Sequence, residues 1–113
     1  MENTVLEKFH QGRQSLGTFS AIGSPLAVES LRYTGLDYVI VDTEHSPAGI
    51  ESAAAQIAAA QGAGLTALAR ANEISRTAVL RLLDVGAQGV VVPCVETVEE
   101  VRELVRDAKF APL

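Results

Sequence analysis

The sequence predicts an α/β protein made of a leading helix and about four strand–helix units, which is half of an eight-stranded barrel. Short apolar runs rich in small and β-branched side chains alternate with stretches of helical periodicity. Gly35, Gly64 and Gly86 each close a predicted helix just before the next strand. Such units pair their strands in parallel through right-handed crossovers, and a complete barrel takes about 250 residues. A small doubly wound sheet is the competing architecture.

The leading helix is expected over residues 2–14 and the first strand over residues 16–22. Ser24 followed by Pro25 marks the next helix start, because a hydroxyl can cap the helix and proline suits its first turn. Gly35 should end that helix. The second strand is expected over Tyr38–Asp42, a β-branched run typical of a strand buried on both faces.

The second half of the chain repeats the same unit twice. Alanine and isoleucine side chains recur on one helical face over residues 50–62, and the third strand is expected over residues 65–70. Ser75 can cap the following helix. The fourth strand is expected over residues 89–93, and valines at helical spacing predict a last helix over residues 98–108.

The composition fits one globular domain over residues 1–113. The chain has a formal net charge of -5, with 48% hydrophobic and 20% charged residues. The acidic balance argues against a nucleic-acid partner, and no apolar run approaches the roughly 20 residues of a membrane span. Cys94 is the only cysteine, which excludes an intrachain disulfide. Without a recognisable secretory signal, the expected location is cytoplasmic.

Three polar side chains, Asp42, Glu44 and His45, follow the second strand where it ends. The carboxyl ends of parallel strands are where α/β proteins place functional groups. A histidine beside carboxylates can act as a general base, and the three groups could also ligate a metal. The alternative is a solvated strand end with capping carboxylates.

Two further candidates come from later units. Arg70 ends the third strand, where it could bind a substrate carboxylate or stabilise an enolate. Its alternative is a structural ion pair with Asp42 or Glu44. Asp84 lies in the last turn of a helix, where a carboxylate is mildly unfavourable for the helix dipole. Asp84 is therefore either a solvated residue at a helix end or a residue with a functional role.

Residues 35–46, 69–72 and 82–93 contain a D-x-E-H element, an A-R-A-N element and an L-L-D-x-G-A-x-G-V-x-x-P element. Together they resemble the HpcH/HpaI aldolase family, the class II pyruvate aldolases that cleave 4-hydroxy-2-oxoheptanedioate and its relatives. The resemblance runs from about Gly17 to the end of the chain. It implies the amino-terminal half of a (β/α)8 TIM barrel.

The resemblance also implies roles for the candidate residues. His45 would be the general base, Arg70 would stabilise the pyruvate enolate, and Asp84 would raise the basicity of His45. Asp42 and Glu44 would lie near a divalent metal, Mg2+, Mn2+ or Co2+, and its waters.

The metal itself would be held from outside this stretch of sequence. The family's direct metal ligands are a glutamate and an aspartate on later strands, so they are expected beyond Leu113, the last residue of this chain. No direct metal ligand is therefore expected within the chain, and metal binding by the chain alone is expected to be weak.

The implied function is metal-dependent aldol cleavage or condensation of a 4-hydroxy-2-oxo acid, giving pyruvate and an aldehyde. This chain would supply the base and the enolate-stabilising half of that site, and a homo-oligomer is expected. The alternative is a catalytically inactive half-barrel or assembly module without the metal ligands. A related lyase acting on another 2-oxo acid or an acyl thioester is also open. A phosphate-binding barrel enzyme is disfavoured, because the glycine-rich phosphate loops are missing.

Overall fold

The computed structural model describes residues 2–47 and 49–109. Its elements, in chain order, are α1 (Thr4–His10), β1 (Gly17–Ser20), α2 (Pro25–Ser30), a 3₁₀ turn (Leu31–Tyr33), β2 (Tyr38–Asp42), α3 (Ile50–Gly62), β3 (Thr66–Arg70), α4 (Arg76–Asp84), β4 (Gly89–Val91) and α5 (Val98–Asp107). Within these residues, no helix has the length and apolar character needed to cross a bilayer.

The four strands form one parallel sheet in the order β1-β2-β3-β4. Because strand order follows chain order and crossovers are right-handed, successive helices fall on the same face of the sheet. A doubly wound sheet would instead reverse its strand order at a switch point. The predicted half-barrel is therefore confirmed, and the doubly wound alternative is wrong for the described residues.

The hydrophobic core lies between the sheet and its helices. Val39 and Val41 on β2, with Ala67 and Ala69 on β3, are completely buried and pack into one cluster with Ile57 of α3. The alanines leave room for α3 to approach the sheet closely, so that the layer reaches the density of a protein interior.

The other face of the same strands is open. Ile40 and Leu68 point away from the helices and are only partly buried, and Phe19 on β1 is 50% exposed. The prediction that β2 is buried on both faces is therefore correct only in part: Tyr38 and Ile40 on the open face are half-buried, whereas Asp42 on that face is buried. A barrel interior needs strands on its far side, and here that wall is absent from the described part of the chain.

The leading helix closes the amino end of the sheet. The Thr4 amide donates to the Thr66 hydroxyl at 2.9 Å, and the Lys8 ammonium lies 2.8 Å from Asp37. The helix is shorter than predicted because the chain turns at Gly12, whose φ of 67° interrupts helical geometry. These contacts place α1 away from the carboxyl ends of the strands, where the candidate functional groups lie.

A buried polar network ties β1 to α3. The Ser20 hydroxyl donates to Gln56 Oε1 at 2.7 Å, and Gln56 Nε2 donates to the Ser52 hydroxyl at 3.1 Å. Gln56 is completely buried, so losing one partner would leave a polar group unsatisfied in the core. The network therefore fixes the position of β1 relative to the rest of the sheet.

The first strand, the second helix and the fourth strand also end earlier than predicted. After Ser30 the second helix tightens into the 3₁₀ turn, where the Thr34 hydroxyl donates to the Leu31 carbonyl at 2.6 Å. The fourth strand stops at Val91 and does not reach Pro93, whose missing N–H cannot continue a ladder. The three closing glycines are confirmed, with φ values of 79°, 81° and 105° at Gly35, Gly64 and Gly86.

The outer edges of β1 and β4 pair with no other strand among the described residues. Apolar side chains flank both edges. Beside β4, a groove of about 310 Å³ runs between β4, α4 and α5, and its lining includes Val92, Val101 and Val105. Unpaired strand edges next to exposed apolar surface favour association.

We therefore expect the purified chain to associate at micromolar concentration, with a mass above its 11.9 kDa in size-exclusion chromatography with light scattering. Changing both Val101 and Val105 to Asp should weaken association, because charge in the groove opposes burial. Glu103→Gln, an exposed change on the same helix, is the control. A mass of one chain across a dilution series, with cooperative unfolding, would contradict this prediction.

Candidate active site

The site is centred on an ion pair between neighbouring strands. Asp42 ends β2, Arg70 ends β3, and the strand register places the two residues side by side. Arg70 Nε donates to Asp42 Oδ1 at 3.1 Å, and Nη2 donates to Oδ2 at 2.6 Å. This two-point geometry fixes the guanidinium better than a single contact would. The structural ion pair considered for Arg70 is therefore present.

Asp42 also organises the loop that follows it. Its Oδ1 atom accepts hydrogen bonds from the amide groups of Glu44 at 2.9 Å and His45 at 3.1 Å. The hydrogen bond from Arg70 is the main reason that the pKa of Asp42 falls from 3.8 to about 2; burial opposes it, and the two amides add to it. Asp42 is therefore a fixed anion that joins one cation to one loop.

The same pairing acts on the arginine. The pKa of Arg70 is raised, first by its hydrogen bond to Asp42 and further by the charges of Asp42 and Glu44. Glu44 Oε1 lies 3.6 Å from Arg70 Nε. The guanidinium thus stays charged beside two carboxylates.

His45 is the most accessible member of the cluster. Its side chain is 69% exposed, and its Nε2 atom lies 3.0 Å from Glu44 Oε1. If Nε2 carries the proton that Glu44 accepts, the neutral imidazole has its lone pair on Nδ1. That atom is then free to accept a proton from a bound molecule, and Glu44 fixes the tautomer.

The backbone of the same loop is held to β3. The Thr43 amide and hydroxyl both donate to the Arg70 carbonyl, at 3.1 and 2.6 Å. The Ser46 hydroxyl donates to the Asp42 carbonyl. Backbone and side chain of Arg70 are therefore bound to the same loop.

One neighbour of the cluster was missed by sequence reasoning. The ring of Phe19, on the open face of β1, lies against the guanidinium of Arg70, with 4.7 Å between Cζ and the ring centroid. The alternation of β1 places Phe19 on the same face as Ile40 and Asp42, so the strand pattern contained this signal.

A family model described as HpcH/HpaI aldolase/citrate lyase matches residues 15–112. The chain belongs to this family. The hydroxypyruvate/pyruvate aldolase of Roseovarius nubinhibens is 33% identical over 110 residues, 97% of this chain and 43% of that protein. The 4-hydroxy-2-oxo-heptane-1,7-dioate aldolase of Escherichia coli is 30% identical over 112 residues, 99% of this chain and 43% of that protein. The chain spans less than half the length of these curated relatives.

Two solved structures also match nearly all of this chain with less than half of their own length. The HpcH/HpaI aldolase from Desulfitobacterium hafniense superposes with a TM-score of 0.89 at 35% identity, covering 99% of this chain and 44% of that one. A citrate synthase superposes with a TM-score of 0.89 at 29% identity, covering 98% and 45%. The predicted family and partial barrel are therefore confirmed.

Within the described residues, Asp84 does not lie with the cluster of Asp42, Glu44, His45 and Arg70. α4 ends at Asp84 and leads to Gln88, whose amide donates to the Ala67 carbonyl near the amino end of β3. A five-residue strand spans roughly 13 Å, so the exposed Asp84 lies at the opposite end of the sheet from His45. Glu44 is the carboxylate that contacts His45. The role predicted for Asp84 has no supporting contact among the described residues and stays a prediction.

The described residues contain no group of three or more His, Cys, Asp or Glu side chains placed to hold a metal ion. Asp42 is already bound to Arg70 and to two backbone amides. The metal-bound state expected for HpcH/HpaI aldolases therefore does not fit the described residues alone.

The expected position of the direct metal ligands, beyond Leu113, stays a prediction. Leu113 itself lies outside the described residues, which end at Lys109. Among the described residues, the carboxylates of Asp42 and Glu44 both face the Arg70 guanidinium.

The lowered pKa of Asp42 predicts how the free energy of unfolding depends on pH. Since the folded-state pKa is lowered from 3.8 to about 2, the pair stabilises the fold above pH 4, and this stability is lost between about pH 4 and pH 2. We expect Asp42→Asn to reduce the free energy of unfolding by about 2 kcal/mol at pH 7, with the difference vanishing near pH 2.

Urea unfolding of both proteins from pH 2 to pH 7 measures this difference. Glu103→Gln, an exposed change on α5, is the control and should behave as the wild type. A difference between wild type and Asp42→Asn that stays constant across this range would refute the linkage.

Proposed function

We propose that this chain carries the base and the enolate-stabilising arginine of a pyruvate aldolase that acts on 4-hydroxy-2-oxo acids. The observation that supports this most is the double role of Asp42, which holds the side chain of Arg70 and the backbone of His45 at once. A cation and an accessible base are thereby kept at fixed positions around one space at the carboxyl end of the sheet. The names of the relatives, aldolases of hydroxypyruvate and of a 4-hydroxy-2-oxo acid, agree with this chemistry.

In the cleavage direction, Nδ1 of His45 accepts the proton of the C4 hydroxyl. The C3–C4 bond then breaks, the C4 oxygen becomes the carbonyl of the leaving aldehyde, and the bonding electron pair forms the pyruvate enolate. Arg70 offsets the negative charge that develops on the enolate oxygen. The protonated imidazole of His45 then gives this proton to C3, which completes pyruvate and restores the neutral base. Condensation uses the same groups in reverse, with His45 returning its proton to the new hydroxyl.

The formal charge of the cluster explains why a divalent cation would help an anionic substrate to bind. With neutral His45, the cluster of Arg70, Asp42 and Glu44 sums to minus one, which opposes the approach of an anionic 2-oxo acid. A divalent cation supplied with the substrate would offset this charge. We propose that its protein ligands lie outside the residues described here, beyond Leu113.

Asp84 has a place in this proposal only in an assembly. Its carboxylate is exposed, at the other end of the sheet from His45. A neighbouring chain that brings its own Asp84 to His45 would add a second carboxylate beside Glu44. This arrangement would favour the protonated imidazole and so raise the basicity of His45.

The base assignment is tested by exchange of the C3 protons of pyruvate with deuterium. The chain is joined to the complementary carboxyl-terminal part of the Desulfitobacterium hafniense aldolase and supplied with Mn2+. We expect His45→Ala to slow exchange by roughly 100-fold or more, since it removes a positioned base. Arg70→Lys should also slow exchange, because it loses the planar two-point contact to Asp42.

His10→Ala is the matched control, since His10 is exposed on α1 at the other end of the sheet. It should leave the exchange rate unchanged. An unchanged rate in His45→Ala would remove His45 from the mechanism, and an inactive chimera with a correctly folded barrel would count against the aldolase proposal itself.

The metal proposal predicts that the chain alone binds Mn2+ weakly. In a calorimetric titration we expect no saturation in the micromolar range, because no three described His, Cys, Asp or Glu side chains are placed to hold a metal ion and Asp42 is already bound to Arg70. The chimera described above should bind with one-to-one stoichiometry. Tight one-to-one binding by the chain alone would show that it contains a complete metal site.

A further inference from the structure

The aromatic ring beside Arg70 is not used by the proposed reaction. Phe19 lies on β1, Arg70 lies on β3, and β2 runs between them. The contact between the Phe19 ring and the Arg70 guanidinium, at 4.7 Å, therefore spans β2, where Ile40 is the register partner of Phe19. Phe19 is a large apolar side chain on the open face of the sheet, and it is 50% exposed.

A guanidinium group has edges and faces, and this structure restrains one of each. Asp42 holds the edge formed by Nε and Nη2, in the plane of the group. An edge contact alone leaves the plane free to tilt about the line between the two hydrogen-bonding groups. An aromatic ring on one face opposes that tilt, because cations are attracted to the π surface and guanidinium stacks on it.

The remaining amino group is Nη1. Among the described residues it donates to no protein acceptor, since the Asp42 contacts use Nε and Nη2. It is the part of Arg70 left to bind an oxygen of a carboxylate or an enolate. Its direction depends on the tilt of the guanidinium plane.

We propose that Phe19 is a positioning residue for Arg70, and that its ring sets the guanidinium plane so that Nη1 meets an oxygen of the bound 2-oxo acid. This inference rests on the proposed function for the identity of the ligand. The buried Ser20–Gln56 hydrogen bond supports it, because it anchors the β1 backbone directly beside Phe19.

A merely apolar role for Phe19 makes a different prediction. If the ring only filled space on the open face, leucine would serve equally well. A positioning role requires an aromatic face, so tyrosine should replace phenylalanine and leucine should not. Phe9, which is 74% exposed on α1, supplies a matched control for the loss of a ring elsewhere.

The experiment is NMR spectroscopy of the isotope-labelled chimera described above, supplied with Mg2+ and titrated with pyruvate. In the wild type, the side-chain protons of Arg70 should be shifted upfield by the ring current of Phe19. Phe19→Leu should abolish that shift and weaken pyruvate binding by roughly two- to fivefold. Phe19→Tyr should keep both properties, and Phe9→Leu should change neither.

The outcomes separate this inference from the proposed function. Absence of the upfield shift in the wild type, which needs no variant, would overturn the contact. Loss of the shift in a folded Phe19→Leu protein that binds pyruvate as tightly as the wild type would overturn the positioning role and leave the aldolase proposal standing. If pyruvate perturbs no resonance of the wild type, the proposed ligand is contradicted, and the ring-current comparison still decides the contact.

Discussion

The ion pair between Asp42 and Arg70 is the interaction on which the site depends. It forms because two parallel strands end in register, so that an acidic and a basic residue lie next to each other at the same edge. Asp42 then has acceptor capacity left for the amides of the following loop, which brings His45 to the same place. One carboxylate thus converts a strand end into a site with a fixed cation and an accessible base.

This arrangement also explains the low pKa of Asp42. A carboxylate whose side chain is only 3% exposed would resist ionisation, but the hydrogen bonds of the guanidinium and of two amides outweigh that cost. Removing Arg70 would leave the charge of the buried Asp42 uncompensated, which is more costly than the pair is stabilising. The structural and chemical roles of Arg70 are therefore compatible, because the contact that anchors the guanidinium also keeps it charged and oriented.

Much of the fold could be predicted from local sequence signals. The apolar run at β2 and the closing glycines such as Gly64 act within a few residues, so the sequence alone identifies them. Element ends were less accurate, because the 3₁₀ turn after Ser30 and the early end of β4 depend on turn geometry. The grouping of Asp42 and His45 with Arg70 could be predicted because strand ends meet at one edge of a parallel sheet.

Two features of the site depend on more than local sequence signals. The separation of Asp84 from His45 follows from the direction of the chain, since a helix that returns to the start of the next strand ends far from the carboxyl edge. The contact of Phe19 with Arg70 crosses an intervening strand, so it depends on side-chain reach as well as register.

In the proposed site, Asp42 couples the arginine and the histidine so that both respond to bound pyruvate. The most direct measurement is 15N NMR of Arg70 Nε and the ring nitrogens of His45 during pyruvate titration of the chimera supplied with Mg2+, with the wild-type sequence and with Asp42→Asn. We expect pyruvate to shift both residues together in the wild type, and the coupled response to be lost in a folded Asp42→Asn protein. An unchanged response of both residues in Asp42→Asn would contradict the claim.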